Sequence, residues 1–331
     1  MILPEGRSLE LSKALLKGAI DIHVHAGPHL PSSPRRVDPV QAAVQARDAG
    51  MRAIVFMDVF EMSNGISWLV NRVVPDFKTY GGLIMNTVYG GMNPRSVKTA
   101  ISYGDGAKFI SFGAHSTYYQ AAREGRTING KFTPLSELYP KFKVEELDRS
   151  IRIPINESPN EQLDEILRLI AENSQIYMIT GHVSVEEALR LLTFSEQYGI
   201  KKVVVSSAVV KDASLVALKK MAEKGALIEY TLAAYTHTTP IPKTHYYVER
   251  EYASIDEGMS EGPTSGVRLV AEQIQQLGAE HCIICTDFGV YTLPEPVEGL
   301  REFIACLLDL GVSTEDITKL VRTNPERLLG L

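Results

Sequence analysis

Eight short apolar runs, each followed by a helical pattern, predict an α/β fold with a parallel sheet. The chain has 331 residues, a length that a single α/β barrel commonly reaches. The first strand is not followed by the glycine-rich phosphate-binding turn that an open doubly wound sheet usually carries. These three observations favour one closed (β/α)8 barrel, the TIM-barrel architecture, as a single domain over residues 1–331.

The strands are predicted from apolar runs that end in polar or glycine residues. The first strand ends in Asp21-Ile-His-Val-His25, and Gly27-Pro28 stops it shortly afterwards. The other seven predicted strands follow in chain order at 52–58, 81–86, 107–112, 176–180, 202–207, 226–231 and 281–287.

The helices between these strands carry start and stop signals. Asp38 and Pro39 supply an N-cap and a first-turn proline for a helix that runs to Gly50. Ser184 begins a capping box, and its helix ends at Gly199. The other predicted helices lie near 67–74, at 94–104, 160–173 and 212–225, before Gly278, and at about 297–310 and 313–322.

Two connections, after the fourth and seventh strands, are much longer than a normal βα loop. They span 113–152 and 233–263, and long loops inside a compact domain are usually functional. We therefore expect substrate-binding side chains there and in the short loop after the first strand. The candidates are His29, Tyr118, Arg123 and His237. Solvated loop charges and surface histidines explain the same residues equally well.

Composition points to a small-molecule partner. Hydrophobic residues make up 44% of the chain and charged residues 22%, as in ordinary soluble proteins. The net charge of −6 argues against nucleic acid or an anionic membrane as partner. No apolar stretch approaches the roughly 20 residues of a membrane span. A homodimer is the default expectation, because dimers are the commonest oligomers of soluble proteins.

The cysteines indicate a reducing compartment. Cys282, Cys285 and Cys306 are too few for a disulfide framework, and no secretory signal pattern opens the chain. We therefore expect the cytoplasm. Cys282-Ile-Ile-Cys285 has the spacing of a metal or redox pair, but it lies inside an apolar run without a second such pair. A buried strand is the favoured interpretation.

Histidines and one aspartate collect at the carboxyl ends of the predicted strands. His23 and His25 project from the same face of the first strand, and two neutral imidazoles side by side suit a metal ion. An ordinary strand end, with both rings bonded to water or backbone, is the alternative. His115, His182 and Asp287 follow the fourth, fifth and eighth strands, so all five side chains are expected at one mouth of the barrel.

These motifs resemble the amidohydrolase superfamily over essentially the whole chain. The matching segments are Asp21-Ile-His-Val-His25, Thr180-Gly-His182, Thr286-Asp287 and Asn324-Pro-Glu-Arg-Leu-Leu329. More narrowly, His25-Ala-Gly-Pro-His29, Gly90-Gly-Met-Asn-Pro94 and Gly106-Ala-Lys108 are similar to a branch described only as a domain of unknown function.

The resemblance implies that His23, His25, His182 and Asp287 hold one divalent cation. Zn²⁺ suits three imidazoles and a carboxylate, and Fe²⁺ or Mn²⁺ would also accept them. The implied activity is hydrolysis of a C–N, C–O or lactone-like bond in a small metabolite by a metal-activated water. Asp287 would move the proton, and His115 and His182 are further catalytic candidates.

Departures from the superfamily pattern open a second interpretation. Ser206-Ser207 ends the sixth strand, where the superfamily usually offers a histidine. Lys108 stands at the start of the fourth strand rather than at its end, which argues against a second, lysine-bridged metal. The alternative function is a barrel that has lost turnover and binds a metabolite. His115 likewise stays open between a solvent-exposed loop histidine and a ligand or transition-state donor.

Overall fold

The computed structural model describes residues 6–31, 34–235 and 263–331. His237 and most of the predicted loop at 233–263 lie outside the described residues. The contacts of the chain divide it into two units. We call residues 1–57, 63–81 and 229–331 the first unit, and residues 58–62 and 82–228 the second unit. The single domain over 1–331 stays a prediction.

The strands are short and mostly buried. In chain order they are β1 (Ile20–Val24), β2 (Ala53–Phe56), β3 (Lys78–Tyr80), β4 (Gly82–Ile84), β5 (Phe109–Ser111), β6 (Gly125–Ile128), β7 (Lys131–Pro134), β8 (Tyr177–Ile179), β9 (Val203–Val205), β10 (Leu227–Thr231) and β11 (Cys282–Cys285).

Helices separate most of these strands. They are α1 (Gly6–Leu16), α2 (Pro39–Asp48), α3 (Ser63–Val73), α4 (Pro94–Ser102), α5 (Tyr118–Ala121), α6 (Leu135–Leu138), α7 (Pro140–Glu145), α8 (Glu161–Glu172), α9 (Val185–Tyr198), α10 (Ser207–Asp212), α11 (Leu215–Glu223), α12 (Pro263–Leu277), α13 (Pro296–Asp309), α14 (Thr314–Thr318) and α15 (Asn324–Leu329). A π-helical turn, Lys319–Thr323, lies between α14 and α15.

The first unit contains a parallel sheet in the order β1-β2-β3. All four residues of β2 are buried, as expected for a strand in a sheet that is covered on both faces. The segment after β11 runs parallel to the end of β1, where Val24 pairs with Phe288. The ends of β1 and β11 are therefore neighbours.

The second unit contains a parallel sheet in the order β9-β8-β5-β4. The first residues of β10, Leu227 and Ile228, continue this sheet beside β9. Its core includes Phe109, Tyr177 and Val204, all fully buried. The structure is therefore an α/β fold with parallel sheets. Strand pairing among the described residues does not close a barrel.

All eight predicted strands are confirmed as elements, and the predicted N-cap at Asp38 and the predicted capping box at Ser184 are confirmed with their helices. The side chain of Asp38 caps α2, and Ser184 caps α9 with Glu187 returning the bond. Cys282 and Cys285 lie in β11, where burial raises the pKa of both thiols, so the buried-strand interpretation is also confirmed.

The structure corrects other predictions. The connection at 113–152 is not an irregular loop, because it contains α5, the antiparallel hairpin β6-β7, α6 and α7. Asn129 and Gly130 both have positive φ values, 51° and 76°, as the type I′ turn of an Asn-Gly hairpin requires. The helix predicted at 212–225 begins later than expected, because Asp212 is the last residue of α10 and Ser214 is the residue that caps α11. β3 was not predicted.

Within the described ranges, no helix combines the length and apolarity that crossing a bilayer requires.

Candidate metal centre

β1 brings two imidazoles together in the first unit. His23 and His25 alternate with the buried Ile22 and Val24, so their rings project from the same face of the strand. The ring centroids are 5.1 Å apart, with 65° between the ring planes. Only 13% of the His23 side chain and 12% of the His25 side chain are exposed. The pair therefore lies largely out of solvent at the carboxyl end of the strand.

Asp287 reaches this pair through a tight turn after β11. Its φ is 54°, a left-handed conformation that aspartate tolerates better than most residues. The turn is held by Asp287 N, which donates to His23 O at 2.8 Å, and by His25 N, which donates to Phe288 O at 2.8 Å. Gly289 follows with φ of 153°, and a Cβ there would lie 2.1 Å from His25 O. The turn thus requires glycine at this position.

Three potential ligand atoms converge at this point. Asp287 Oδ1 lies 3.3 Å from His23 Nε2 and 2.9 Å from His25 Nε2. All three atoms lie within 4.8 Å of one another. In the part of the chain that the structure describes, this is the only such group of three or more histidine, cysteine or acidic ligand atoms.

The other ring nitrogens have hydrogen-bond partners of different kinds. His25 Nδ1 donates to the carbonyl oxygen of Met57 at 2.7 Å, and His23 Nδ1 bonds Glu229 Oε1 at 3.0 Å. Because a carbonyl only accepts, His25 Nδ1 carries a hydrogen, and a neutral His25 presents the lone pair of Nε2 toward Asp287. Sequence reasoning missed Glu229. The available signal was a charged residue inside the otherwise apolar β10.

Asp21 fixes the backbone behind the histidines. Its buried carboxylate accepts hydrogen bonds from His23 N at 3.0 Å, from Thr286 Oγ1 at 2.6 Å and from Thr286 N at 3.3 Å. Burial raises the pKa of Asp21 to about 6, although the hydrogen bonds from Thr286 and His23 act in the opposite direction. One carboxylate therefore ties the strand that bears His23 to the segment that bears Asp287.

The two histidines differ electrostatically. Burial lowers the pKa of His23, but the negative charges of Asp287 and Glu229 outweigh burial and raise that pKa to about 9. For His25, burial and the positive charge of Arg35 lower the pKa. In the absence of a cation, His23 is the ring that holds an extra proton between two carboxylates.

The donor set fits a divalent cation. A tetrahedral ion about 2.05 Å from each ligand separates two ligand atoms by about 3.3 Å, and an octahedral ion separates them by about 2.9 Å. The observed separations from Asp287 Oδ1, 3.3 Å and 2.9 Å, have these lengths. Asp21, Glu229 and Asp287 also surround the two imidazoles with carboxylates, which a divalent charge offsets.

His115 and His182 form a second histidine pair, in the second unit. Their ring centroids are 5.9 Å apart at 61°. His115 Nδ1 bonds Glu124 Oε1 at 2.7 Å, and Thr117 Oγ1 donates to His182 O at 2.6 Å. Gly181 allows its backbone to lie close to the carbonyl oxygen of Gly113, because a Cβ at position 181 would lie 2.3 Å from that oxygen. The side chain of His115 is only 15% exposed, so it packs against Glu124 rather than standing in solvent.

The predicted substrate-binding residues have varied surroundings. Arg123 stacks on Tyr119 at 3.7 Å and pairs with Asp212 at 3.0 Å. The guanidinium of Arg152 lies over the ring of Tyr118, 3.6 Å from the ring centroid. His29, in the first unit, lines a cavity together with Arg35, Arg36 and several prolines. These contacts leave the substrate-binding roles as predictions.

A family model matches more than half of the chain. Residues 18–229 match the model described as "Family of unknown function (DUF6282)". The chain belongs to this family. The matched segment includes both histidine pairs, and Asp287 lies beyond it. No curated protein matches the chain.

Solved structures show where this fold recurs. One is the probable dipeptidase PvdM from Pseudomonas aeruginosa, at 12% identity and a TM-score of 0.61, covering 98% of this chain and 98% of that chain. Another is an amidohydrolase from Pseudomonas aeruginosa, at 13% identity and a TM-score of 0.59, covering 97% and 98%. A third is the lactonase Lmo2620 from Listeria monocytogenes, at 11% identity and a TM-score of 0.53, covering 94% and 94%.

These likenesses concern the fold alone, because all three identities are low. The predicted match to a family of unknown function is confirmed, and the predicted resemblance to amidohydrolases is confirmed at the level of the fold.

Proposed function

We propose that this chain is a metal-dependent hydrolase of the amidohydrolase type, acting on a C–N, C–O or lactone bond of a small metabolite. The observation that carries the proposal is the convergence of His23 Nε2, His25 Nε2 and Asp287 Oδ1 in one partly buried cluster. One divalent cation, most simply Zn²⁺, suits these donors, and Fe²⁺ or Mn²⁺ also accepts them. The resemblance adds His182 as a further ligand and a closed (β/α)8 barrel as the architecture.

A bound divalent cation lowers the pKa of a water toward about 7 and polarises the bond to be cleaved. The chain supplies the rest. Met57 O holds the hydrogen of His25 Nδ1, so Nε2 of that ring is directed at the site. The carboxylate of Asp287, 30% exposed, lies where solvent and both imidazoles meet.

Asp287 is the proposed proton carrier. Its carboxylate accepts a proton from the attacking water as the new O–C bond forms. The same proton passes to the leaving nitrogen or oxygen as the C–N or C–O bond breaks, so one water is consumed and the carboxylate is regenerated. His115 and His182 are the further catalytic candidates, and His29, Tyr118, Arg123 and His237 are the proposed substrate-binding residues.

The names of similar structures suggest the first bonds to test. One is named a probable dipeptidase and another a lactonase. Peptide and lactone substrates therefore come first in a panel that also contains esters and other amides. We further propose a cytoplasmic homodimer that binds neither nucleic acid nor membrane, in keeping with the net charge of −6.

Metal content and turnover of the purified protein test the proposal together. We expect about one equivalent of zinc, iron or manganese per chain, and hydrolysis of at least one panel compound that a chelator abolishes and the metal restores. His23→Ala loses both properties. His281→Ala, which removes a histidine at the opposite end of β11, keeps both. A wild-type protein without stoichiometric metal after preparation without chelators contradicts the proposal.

The second candidate, a barrel that binds a metabolite without turnover, has one observation in its favour. The strand that offers a histidine in the superfamily ends here in two serines, with Ser206 donating to the Gly181 carbonyl and Ser207 beginning α10. Metal-dependent hydrolysis of any panel compound excludes this candidate. Saturable binding of a compound that is never hydrolysed supports it.

A further inference from the structure

We infer that Glu229 is a positioning residue, which orients the imidazole of His23 and strengthens it as a metal ligand. The inference rests on the metal centre proposed above. It concerns a side chain on β10 that neither the sequence motifs nor the superfamily resemblance identified.

His23 lies between two carboxylates. Glu229 Oε1 is 3.0 Å from Nδ1 on one side of the ring, and Asp287 Oδ1 is 3.3 Å from Nε2 on the other. Because a carboxylate only accepts hydrogen bonds, Glu229 keeps a hydrogen on Nδ1. Nε2 is then the nitrogen that gives up its proton when a cation enters beside Asp287. Glu229 therefore determines which nitrogen of His23 faces the ion.

Burying the carboxylate of Glu229 is unfavourable for a residue whose role is only to fill the core. Its side chain is 1% exposed, and its neighbours along the strand, Ile228 and Tyr230, are fully buried. Burying a carboxylate is expensive unless it is paired, and an apolar side chain would fill a core strand at lower cost. The bond to His23 gives this carboxylate a partner whose orientation matters for the site.

The two histidines of β1 are supported in different ways. His25 Nδ1 is held by a backbone carbonyl, which no side-chain substitution removes. His23 Nδ1 is held by a carboxylate, which forms a stronger, charge-assisted bond and makes the imidazole a more basic ligand. Glu229 is thus the side chain through which the affinity of this centre is set.

The test compares three variants by their zinc affinity, measured in competition with a chromophoric chelator. Glu229→Gln keeps an acceptor for Nδ1 but removes the charge, and we expect binding to weaken by about 10-fold. Glu229→Leu removes both, and we expect a loss of about 100-fold. Glu280→Gln, an exposed glutamate of the same unit, is the matched control and binds as the wild type does.

A spectroscopic measurement separates positioning from a merely structural role. In the zinc-bound wild type, ¹⁵N-histidine spectra should show an exchange-protected Nδ1–H of His23. Glu229→Gln should keep that signal at a shifted position, and Glu229→Leu should lose it. Circular dichroism establishes that each variant is folded. If the leucine variant does not fold, the glutamine variant alone decides.

Failure of this inference is distinguishable from failure of the proposed function. A wild type that binds no divalent cation overturns the metal centre and this inference with it. A wild type that binds zinc, together with a folded Glu229→Gln of unchanged affinity and unchanged Nδ1–H signal, overturns the role of Glu229 alone.

Discussion

Two histidine pairs, one in each unit, invite comparison. His23 and His25 stand 5.1 Å apart at 65°, and His115 and His182 stand 5.9 Å apart at 61°. Each pair has a carboxylate on an Nδ1 atom, Glu229 for the first and Glu124 for the second. Among the residues that the structure describes, only the first pair belongs to a group of three ligand atoms, with Asp287 at the Nε2 atoms.

Similar residue types and ring spacings thus occur with different sets of neighbouring ligand atoms. A carboxylate at Nδ1 orients the imidazole ring, whereas a carboxylate beside Nε2 completes a set of ligand atoms. The tight turn through Asp287 and Gly289 supplies that second carboxylate in the first unit. The proposed metal centre therefore rests on His23, His25 and Asp287, with His182 as the further ligand that the resemblance adds, and His115 is a proton-transfer candidate oriented by Glu124.

Substituting one histidine from each pair should give the largest contrast. His25→Ala removes a ligand nitrogen, and we expect zinc affinity to fall by more than about 100-fold, beyond the effect of losing a supporting residue. His115→Ala should leave zinc affinity unchanged, because His115 is not part of the group of three ligand atoms formed by His23, His25 and Asp287. Competition titration measures both. Equal losses in the two variants would erase the distinction drawn here.

Zinc should stabilise the folded protein through His25 and not through His115. At a free concentration 100 times its Kd, a ligand that binds only the folded state adds about 2.7 kcal/mol to the free energy of unfolding. We expect this gain in the wild type and in His115→Ala, measured by urea unfolding with and without zinc. We expect it to be absent from His25→Ala. A full gain in His25→Ala would place the ion elsewhere.

A pair of buried threonines probes how the two regions are held. Thr286 Oγ1 donates to the carboxylate of Asp21 at 2.6 Å, and Thr117 Oγ1 donates to the carbonyl of His182 at 2.6 Å. Hydrogen bonds to charged groups contribute about 1.5–3 kcal/mol and those to neutral groups about 0.5–1.5 kcal/mol. Thr286→Val should therefore destabilise the metal-free protein more than Thr117→Val.

Urea unfolding of Thr286→Val and Thr117→Val without metal measures the loss in unfolding free energy for each of the two hydrogen bonds. The reverse order of the two losses would mean that Asp21 does not hold the backbone of the metal centre.

The smallest predicted effect is the pH dependence of stability that comes from Glu61, a carboxylate influenced by the charge of Asp58. Burial, with the charge of Asp58 added, raises the pKa of Glu61 from 4.5 to about 7. The unfolded chain then loses this proton at lower pH than the folded chain does. The stability contributed by Glu61 is therefore complete below pH 4.5 and is lost as the pH rises through about 7.

Glu61→Gln should flatten the fall in unfolding free energy between pH 4.5 and about pH 7. Because Glu61 is partly exposed, the change in slope should be small. A slope identical to that of the wild type would show that the proton is held elsewhere.

Much of the fold follows from local signals in the sequence. The strands are apolar runs bounded by glycine or polar residues, and α2 and α9 begin at capping boxes that are visible in the chain. β3 consists of Lys78, Thr79 and Tyr80, so no apolar run marks it as a strand. α11 begins after Ser214 rather than after Asp212, and both residue types are favourable N-caps, so the sequence alone does not distinguish the two starts.

The candidate site was predictable only in part. His23, His25 and Asp287 were chosen because strand ends carry them, and the structure brings these three together. Glu229 and Glu124 were missed because their partners are 206 and 9 residues away, and no local pattern encodes such a hydrogen bond. These hydrogen bonds determine which nitrogen of each ring is available as a ligand, and the sequence does not show them.

Anomalous X-ray scattering from crystals grown with zinc tests the central claim most directly. We predict one strong peak at the zinc edge, about 2.0–2.1 Å from Nε2 of His23 and of His25 and about 2.0–2.2 Å from an oxygen of Asp287. No peak at these three residues, or a peak held by His115 and Glu124 instead, would contradict the account.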